Sequence, residues 1–387
     1  MYVSDVGFLS LFSTCYSEAR DKFLIEAEAA GAVLTSCKHP EPGPDGEALH
    51  LDAARIGPRE ADRLFVLVSG THGPEGFCGS ACQTGWLRAR ARAPLPPGVA
   101  VLLLHAHNPF GFAWGVRQTH EKIDLNRNFV AHEDAPANPL CDRFYELLGA
   151  FPDQWSDEFF EHFRATKEAF CRERGREETE KWLGYGQYKV PHGLHFGGFE
   201  PSWSRETSSR LLREHAEKAR HVVLIDIHTG LGRYGYGELL SVDPVDSAGF
   251  RRSRAVFGET VTSMPGGTSV ATYSAGNVSE GVRRLLPQAS VVAHALEFGT
   301  WEGPQLDPVK LKCQWMLAKD RLESGEGEAM RCAYRAIFYP ENDDWKELVW
   351  MRAMMVCRQA LAWLEDPEKR SRTGLPETRC INEKRMP

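Results

Sequence analysis

The stretch RLFVLVSGTHGPEGFCGS (residues 63–80) is a continuous apolar run that passes directly into a glycine-rich turn. Three other segments share this pattern of a Val-, Leu- and Ile-rich run with polar residues at its end: GVAVLLLHAHN (98–108), RHVVLIDIHTG (220–230) and ASVVAHALEFG (289–299). Runs of this kind are typical of strands that are covered on both faces, as in a mostly parallel sheet. The sequence therefore predicts a set of buried strands, each with polar residues at its carboxyl end.

Helical patterns lie between and around these strands, at 15–30, 79–91, 205–219, 277–286, 307–320 and 343–366. Near the amino terminus, AVLTSCKH and ALHLDAARIG are separated by turn residues, and they predict two strands of a hairpin. The alternation of strands and helices predicts an α/β fold, with a mixed, mostly parallel sheet flanked by helices.

The length of 387 residues fits one α/β domain with insertions. We expect a single domain over residues 1–366, with a charged helical insertion at about 133–204 and a polar tail at 367–387. Within the insertion, residues 154–182 carry phenylalanines near helical spacing and predict an amphipathic helix. Its charged face is more simply interpreted as a solvated surface than as a partner-binding surface. The later segment GQYKVPHGLHFGGFEPSWS is expected to form a lid or a wall of the substrate pocket.

Composition excludes several classes of protein. The net charge is −7, and no stripe of Lys and Arg is present, so nucleic-acid binding is not expected. No apolar run is long enough to span a bilayer, and the first twenty residues lack the pattern of a signal peptide. The ten cysteines are scattered, which is typical of reduced thiols. We expect a cytoplasmic protein that does not bind membranes, and a homo-oligomer stays open.

The turn after the first buried run contains His72 and Glu75, three residues apart. It does not match a phosphate-binding loop, because neither known glycine-rich pattern for phosphates is present. A tight turn with incidental polar residues is one interpretation, since such pairs are common by chance. The other is half of a zinc site, which needs a third protein ligand from elsewhere in the chain.

Polar residues end the other buried strands as well. His228 in IDIHTGLG can supply a third metal ligand, with Asp226 as its support, or it can be a hydrogen-bonded histidine at a strand end. Glu297 in HALEFGT can serve as a general base beside zinc-bound water, or as a buried structural carboxylate. In α/β sheets, ligands gather at the carboxyl ends of strands, which places these residues near one another.

The segment RQTHEKIDLNRNF (117–129) is a dense polar cluster. Arg117 can polarise a carbonyl oxygen, and the guanidinium group of Arg127 can bind a carboxylate through two parallel hydrogen bonds. A loop held by Asx turns and surface ion pairs is the competing interpretation.

In chain order, the motifs SGTHGPEGFCGSA, NPFGFAW, DLNRNF, IDIHTGLG, YGYGE and LEFGT resemble the zinc metallocarboxypeptidase superfamily over residues 8–365. This superfamily includes carboxypeptidase A-like peptidases and the succinylglutamate desuccinylase/aspartoacylase branch. DLNRNF is most similar to that second branch and to its uncharacterised bacterial relatives. Each motif is weak by itself, and the specificity of the resemblance comes from their order.

The resemblance implies a role for each candidate residue. His72, Glu75 and His228 would bind one zinc ion, and Glu297 would activate the zinc-bound water. Arg117 would stabilise the oxyanion. Two further residues, Asn126 and Arg127, would hold a substrate carboxylate. A tyrosine near the scissile bond, which the peptidases of the superfamily use, is represented best by Tyr236 and second by Tyr273.

The function predicted from these motifs is zinc-dependent hydrolysis of an amide next to a free carboxylate, in a small molecule or a short peptide. Both a carboxypeptidase and a deacylase of N-acyl amino acids satisfy the motifs. The alternative from another class is a non-catalytic protein that uses the same fold and Arg127 to bind small carboxylates. A complete ligand set together with a base favours the enzyme.

Overall fold

The computed structural model describes residues 7–90, 94–301 and 306–372. Its centre is an eight-stranded sheet in the order β1-β2-β4-β3-β5-β8-β6-β7. The strands are β1 (Val33–Lys38), β2 (His50–Ile56), β3 (Arg63–Val68), β4 (Val99–His105), β5 (His221–Tyr234), β6 (Gly237–Ser241), β7 (Val261–Ser263) and β8 (Ser290–Gly299).

Helices cover both faces of the sheet and one of its ends. They are α1 (Tyr16–Ala29), α2 (Gly76–Arg90), α3 (Pro109–Trp114), α4 (Pro139–Leu148), α5 (Asp157–Arg174), α6 (Arg176–Tyr185), α7 (Trp203–Ala216), α8 (Ala248–Phe257), α9 (Val278–Leu285), α10 (Leu306–Ala318), α11 (Gly325–Phe338), α12 (Asp343–Glu365) and α13 (Pro367–Arg372).

The sheet is mixed and mostly parallel at its centre, as predicted. Strands β4, β3, β5 and β8 run parallel to one another. The predicted hairpin is present as β1 and β2, which pair antiparallel and then join β4 antiparallel. On the other side, β6 pairs antiparallel with β8 and parallel with β7.

Two hydrophobic cores lie on opposite faces of the sheet, because successive side chains of a strand point to opposite sides. In β3, Phe65 and Leu67 join the core beneath α1, α2 and α12. The intervening Leu64, Val66 and Val68 join the core beneath α7 and α9. Since both faces are buried, the strand is apolar at nearly every position, which is the pattern on which its prediction depended.

A third hydrophobic cluster lies beside the sheet and joins α4 and α5 to α10 and α11. Residues 133–204 therefore pack against the later part of the chain through apolar side chains such as Phe144 and Phe163. The single helix predicted over 154–182 is wrong in one respect, because it is broken into α5 and α6. Gly175 separates them with a backbone φ of 90°, a left-handed conformation that favours glycine.

The segment predicted as a polar tail begins with the short helix α13. Residues 373–387, the rest of that segment, lie outside the described residues.

Within the described ranges, none of the helices combines the length and the apolar character needed to cross a membrane. The nine cysteines in these ranges are free.

Candidate metal centre

The predicted metal ligands meet at one edge of the sheet. His72 and Glu75 follow the carboxyl end of β3, while His228 lies in β5 and Glu297 in β8. These three strands are neighbours and run parallel, so their carboxyl ends point to the same edge. Segments that are more than 150 residues apart in sequence therefore contribute to one site.

The glycine-rich turn brings its two candidate ligands together because the backbone is packed too closely for side chains. A Cβ atom added at Gly73 would lie 1.9 Å from the carbonyl oxygen of Gly111 in α3. Only glycine fits such an approach. The residues Gly73–Glu75 form a single 3-10 turn after His72, which places the Glu75 carboxylate beside the His72 ring. The tight turn and the candidate metal half-site are thus the same feature.

Three side chains form the centre of the site. Glu75 Oε1 lies 2.9 Å from His72 Nδ1, and Glu75 Oε2 lies 2.8 Å from His228 Nδ1. The ligand atoms of these residues lie within 4.8 Å of one another, and all three side chains are buried. Two imidazoles and one carboxylate are a donor set that zinc takes in catalytic sites, with one position left for water or substrate.

Each histidine is also held from its other ring nitrogen by a carboxylate. His228 Nε2 lies 2.9 Å from Asp226 Oδ2, and His72 Nε2 lies 3.3 Å from Asp124 Oδ1. Carboxylates in this position orient a metal-binding histidine and leave its inner nitrogen free to coordinate. The predicted support by Asp226 is present in the structure, whereas the matching role of Asp124 was not predicted.

A second layer of hydrogen bonds holds Asp226. The hydroxyl of Thr71 donates to Asp226 Oδ1 at 2.8 Å and lies 3.0 Å from His107 Nδ1. His107 in turn lies 2.9 Å from the Ser208 hydroxyl, through its Nε2. Burial lowers the pKa of His107 to about 4. The neutral ring packs beneath the site and does not line its cavity.

The electrostatics of the three ligands fit a cation. Burial lowers the pKa of His228, but the carboxylates of Asp226 and Glu75 raise it well above its usual range. Burial raises the pKa of Glu75, but His72 and His228 lower it strongly. A positive charge is therefore favoured between the Glu75 carboxylate and the Nδ1 atoms of His72 and His228. A metal ion can supply that charge in place of protons.

Carboxyl groups outnumber basic side chains around the site. Four carboxyl groups, two guanidinium groups and one ammonium group surround it: Glu75, Asp124, Asp226, Glu297, Arg117, Arg127 and Lys310. With neutral histidines and ionised carboxyl groups, the excess charge is negative, which favours a bound cation. The residues present thus fit a zinc ion in number and chemistry.

Glu297 lies in the wall of the same cavity. Its side chain is buried, and Oε1 accepts a hydrogen bond of 2.9 Å from the Leu231 backbone N–H. Burial and the nearby Glu75 carboxylate raise its pKa to about 7. A carboxyl group with a pKa near neutrality can both accept and donate a proton under ordinary conditions.

The guanidinium group of Arg117 lies beside Asp124 and close to Glu75. Its Nε donates to Asp124 Oδ2 at 2.9 Å, and its Nη1 lies 3.8 Å from Glu75 Oε1. Burial lowers the pKa of Arg117, but Asp124 and Glu75 outweigh burial and raise it. Asp124 also accepts from the Asn126 backbone and contacts His195, so one carboxylate orients both Arg117 and the turn that follows.

Asn126 and Arg127 line the cavity from that turn. Arg127 donates from Nε and Nη2 to the Gly184 carbonyl and from Nη1 to the Asn126 carbonyl. The Asn126 side-chain oxygen accepts from the Val278 N–H at 3.0 Å. These bonds fix both side chains before any substrate arrives. The competing interpretation was a loop held by Asx turns and surface ion pairs. Arg127 does not fit it, because this residue is only 7% exposed.

Neither of the two predicted tyrosines is among the residues that line the cavity. Tyr236 is 46% exposed on the turn between β5 and β6 and lies outside the cavity lining. Tyr273 donates its hydroxyl to Glu280 at 2.6 Å, although its neighbours Thr272 and Ser274 line the cavity. The sequence does not indicate which tyrosine lies near the candidate metal ligands, because the turn and the loop that carry them have no periodic pattern.

The cavity has a volume of about 250 Å³. Besides the predicted residues, it is lined by Gly184 and His195 from the region predicted as an insertion, and by Lys310 and Phe338 from α10 and α11. The sequence motifs did not single out these four residues, and α11 was not predicted. The segment GQYKVPHGLHFGGFEPSWS, which was expected to form a lid or a wall of the substrate pocket, contains His195. Residues 184–195 thus contribute to the wall of the site.

Several solved structures are similar to this chain at low identity. Carboxypeptidase A from Helicoverpa armigera is 13% identical, with a TM-score of 0.43, and the match covers 84% of this chain and 73% of that one. A protein from Shewanella baltica that is assigned as a metallopeptidase is 14% identical, with a TM-score of 0.39 and coverages of 84% and 92%. A protein from Shewanella amazonensis, assigned to the succinylglutamate desuccinylase/aspartoacylase family, is 18% identical, with a TM-score of 0.34 and coverages of 79% and 73%.

At such identities and TM-scores, the likeness indicates neither activity nor substrate, and a functional argument depends on the residues of the site. The comparison with curated proteins found no match. One family model matches residues 12–352, which is most of the chain. The chain therefore belongs to the family described as "Protein of unknown function (DUF2817)".

Proposed function

We propose that this protein is a zinc-dependent hydrolase that cleaves an amide next to a free carboxylate. One observation carries the proposal: two histidines converge on Glu75 through Nδ1 while a carboxylate holds each Nε2, and Glu297 lines the same cavity. A structural histidine at a strand end needs none of these partners. The arrangement supplies the Lewis acid site, the base and the anion-binding groups that a metal-assisted hydrolase requires.

His72, Glu75 and His228 would hold one zinc ion. When bound, zinc lowers the pKa of water and polarises a carbonyl group. The buried carboxylates of Asp226 and Asp124 keep the two rings oriented for this purpose. No other group of His, Cys, Asp and Glu side chains in the described ranges is arranged to hold a metal.

Glu297 is the proposed general base. It takes the proton of the attacking water and delivers it to the leaving nitrogen, so that the amide breaks into a carboxylic acid and an amine. The guanidinium group of Arg117, held by Asp124, donates to the oxygen that becomes negative as water adds to the carbonyl.

Asn126 and Arg127 are the proposed carboxylate anchor. A guanidinium group has five N–H donors, and the bonds to Gly184 and Asn126 use three of them. One donor remains on each terminal nitrogen of Arg127, a pair that suits the two oxygens of a carboxylate. The substrate is therefore a short peptide or an N-acyl amino acid with a free carboxyl group.

Metal analysis and turnover test this proposal together. Purified protein should contain one equivalent of zinc, and a panel of C-terminally free dipeptides and N-acyl amino acids should release amine. Chelation should abolish the release, and added zinc should restore it. Little bound zinc, with no activity gained on adding it, would favour the non-catalytic carboxylate-binding protein instead.

A further inference from the structure

A second chamber adjoins the metal cavity. Its volume is about 180 Å³, and it shares five lining residues with the cavity: Arg117, Gly184, His195, Lys310 and Phe338. Because the two spaces share these residues, a substrate bound at the metal centre can extend into the chamber. Most of the other lining residues come from the region 133–204 and from α10 and α11.

Aromatic rings form much of the chamber wall. Phe144 and Tyr145 come from α4, Phe163 from α5, and Tyr334 and Phe338 from α11. All five side chains are buried. Phe144 and Phe163 meet edge to face, with ring centroids 5.4 Å apart, so each ring restrains the other. Rings held in this way favour an apolar occupant, and planar groups most of all.

Most polar groups in the wall are already paired with each other. Lys167 lies 2.9 Å from Glu180, so their charges compensate. The Tyr145 hydroxyl accepts from the Leu194 backbone N–H, and the amide groups of Gln118 and Gln314 bond to one another. These groups do not require a polar ligand, because their hydrogen-bonding capacity is used within the wall.

Tyr334 is the exception. Its side chain is 4% exposed, yet its hydroxyl forms no hydrogen bond with any residue in the described ranges. The ring lies close enough to Arg117 and Glu75 to interact with their charges. The hydroxyl oxygen is open to the chamber, so a ligand there can supply a hydrogen-bond partner. A carbonyl or amide group at the junction of the chamber and the metal cavity would do so.

The position of the anchor decides which part of the substrate enters the chamber. Asn126 and Arg127 line the metal cavity but not the chamber, whereas Arg117 lines both. A substrate whose carboxylate is held by Arg127 therefore has its amine side in the metal cavity. The acyl side of the scissile amide then points past Arg117 toward the aromatic wall.

We propose that the chamber is the binding site for the acyl side of the substrate and selects a bulky apolar group, aromatic above all. This inference rests on the proposed function and names its substrate class: N-acyl amino acids or short peptides with an aromatic or large aliphatic group on the acyl side of the amide. The region 133–204 thus acts as a specificity element that surrounds the acyl group.

Binding to a zinc-loaded Glu297→Gln variant tests the chamber without turnover. Isothermal titration calorimetry should show N-phenylacetylglycine binding about tenfold more tightly than N-acetylglycine, because the ligands differ only in the ring that would enter the chamber. Equal affinities, or no measurable binding of either ligand, would overturn the proposal.

Chamber variants in the same background locate the effect. Phe163→Ala removes one wall ring and should reduce the preference for the phenylacetyl ligand to within about threefold. Phe159→Ala is the matched control, since Phe159 is also a buried phenylalanine of α5 but does not line the chamber. If Phe163→Ala does not fold, Leu183→Phe is the second variant, because its larger side chain would narrow the chamber. It should weaken the binding of N-phenylacetylglycine and leave the binding of N-acetylglycine unchanged. A preference unchanged by a folded chamber variant would place the ring elsewhere and overturn the assignment.

Turnover by the wild type then separates the two proposals. If neither compound is hydrolysed but the binding preference and its loss in Phe163→Ala persist, the proposed function fails and the chamber assignment stands. If both compounds are hydrolysed with equal kcat/KM and bind equally, the proposed function stands and the chamber assignment fails.

Discussion

His228 lies directly beside Glu297 in the parallel register of β5 and β8. Since neighbouring residues of adjacent strands point to the same face, the candidate zinc ligand and the candidate base leave the sheet side by side. Two residues further back, Asp226 is level with Ala295. The relative position of ligand, supporting carboxylate and base is thus set by backbone hydrogen bonds of the central sheet.

Glu297→Gln should lower kcat/KM by a factor on the order of 10² to 10⁴, because the amide cannot accept the proton of water. Zinc content, measured by elemental analysis, should stay at the wild-type level. Glu238→Gln is the control: Glu238 is the buried cross-strand neighbour of Glu297, but it bonds to Thr262 and Val270 and does not line the cavity. A fully active Glu297→Gln variant would remove the assigned role.

Asp226→Asn should weaken zinc binding by about 10- to 100-fold, since the amide no longer supports the His228 ring as a carboxylate does. Competition with a chromogenic chelator measures the change. Asp243→Asn serves for comparison, because Asp243 is also a buried carboxylate but pairs with Arg283 and not with a candidate ligand. Similar zinc affinities in the two variants would argue against a supporting role for Asp226.

The stability of the metal-free protein should depend on Glu297 between pH 4.5 and about 7. The folded-state pKa of about 7 is above the usual value of 4.5, so the protonated form is favoured in the folded state. The stabilisation is complete below the unfolded pKa and is lost as pH rises through the folded pKa. The Glu297→Gln variant should not lose stability in this way, because glutamine does not titrate.

Urea unfolding of metal-free wild type and Glu297→Gln at pH 5 and pH 8 measures the difference. Between these two conditions, the wild type should lose on the order of 2 kcal/mol relative to the variant. Metal must be absent, since a nearby cation stabilises the carboxylate and lowers its pKa. Parallel stability curves for the two proteins would show that the pKa of Glu297 is not raised.

Arg127→Met should abolish discrimination between a substrate with a free carboxylate and its amidated analogue. The wild type should prefer the carboxylate by about tenfold or more in kcat/KM, through charged hydrogen bonds from Arg127. Arg205→Met is the control, because Arg205 bonds to the Asn128 carbonyl near the same turn but does not line the metal cavity. If Arg127→Met retains the preference, the carboxylate is held elsewhere.

The central strands could be predicted closely because burial on both faces leaves few alternatives. The runs at 63–70 and 289–299 correspond to β3 and β8 within two residues. Helices α7 and α12 also appear near their predicted bounds. The short strands β6 and β7 and the helix α11 were not predicted. Their apolar patterns are too short, or too mixed with charge, to stand out from loops.

The sequence by itself determined the α/β fold class and the candidate chemistry, since apolar runs that end in His, Glu and Asp are visible in the order of residues. Only the tertiary structure decided the distances. It joined His72 to Asp124, excluded Tyr236 from the cavity and brought Phe163 and Tyr334 to one chamber. Local periodicity reports which face of an element is buried, whereas the meeting of distant segments depends on strand order and helix packing, which no short motif encodes.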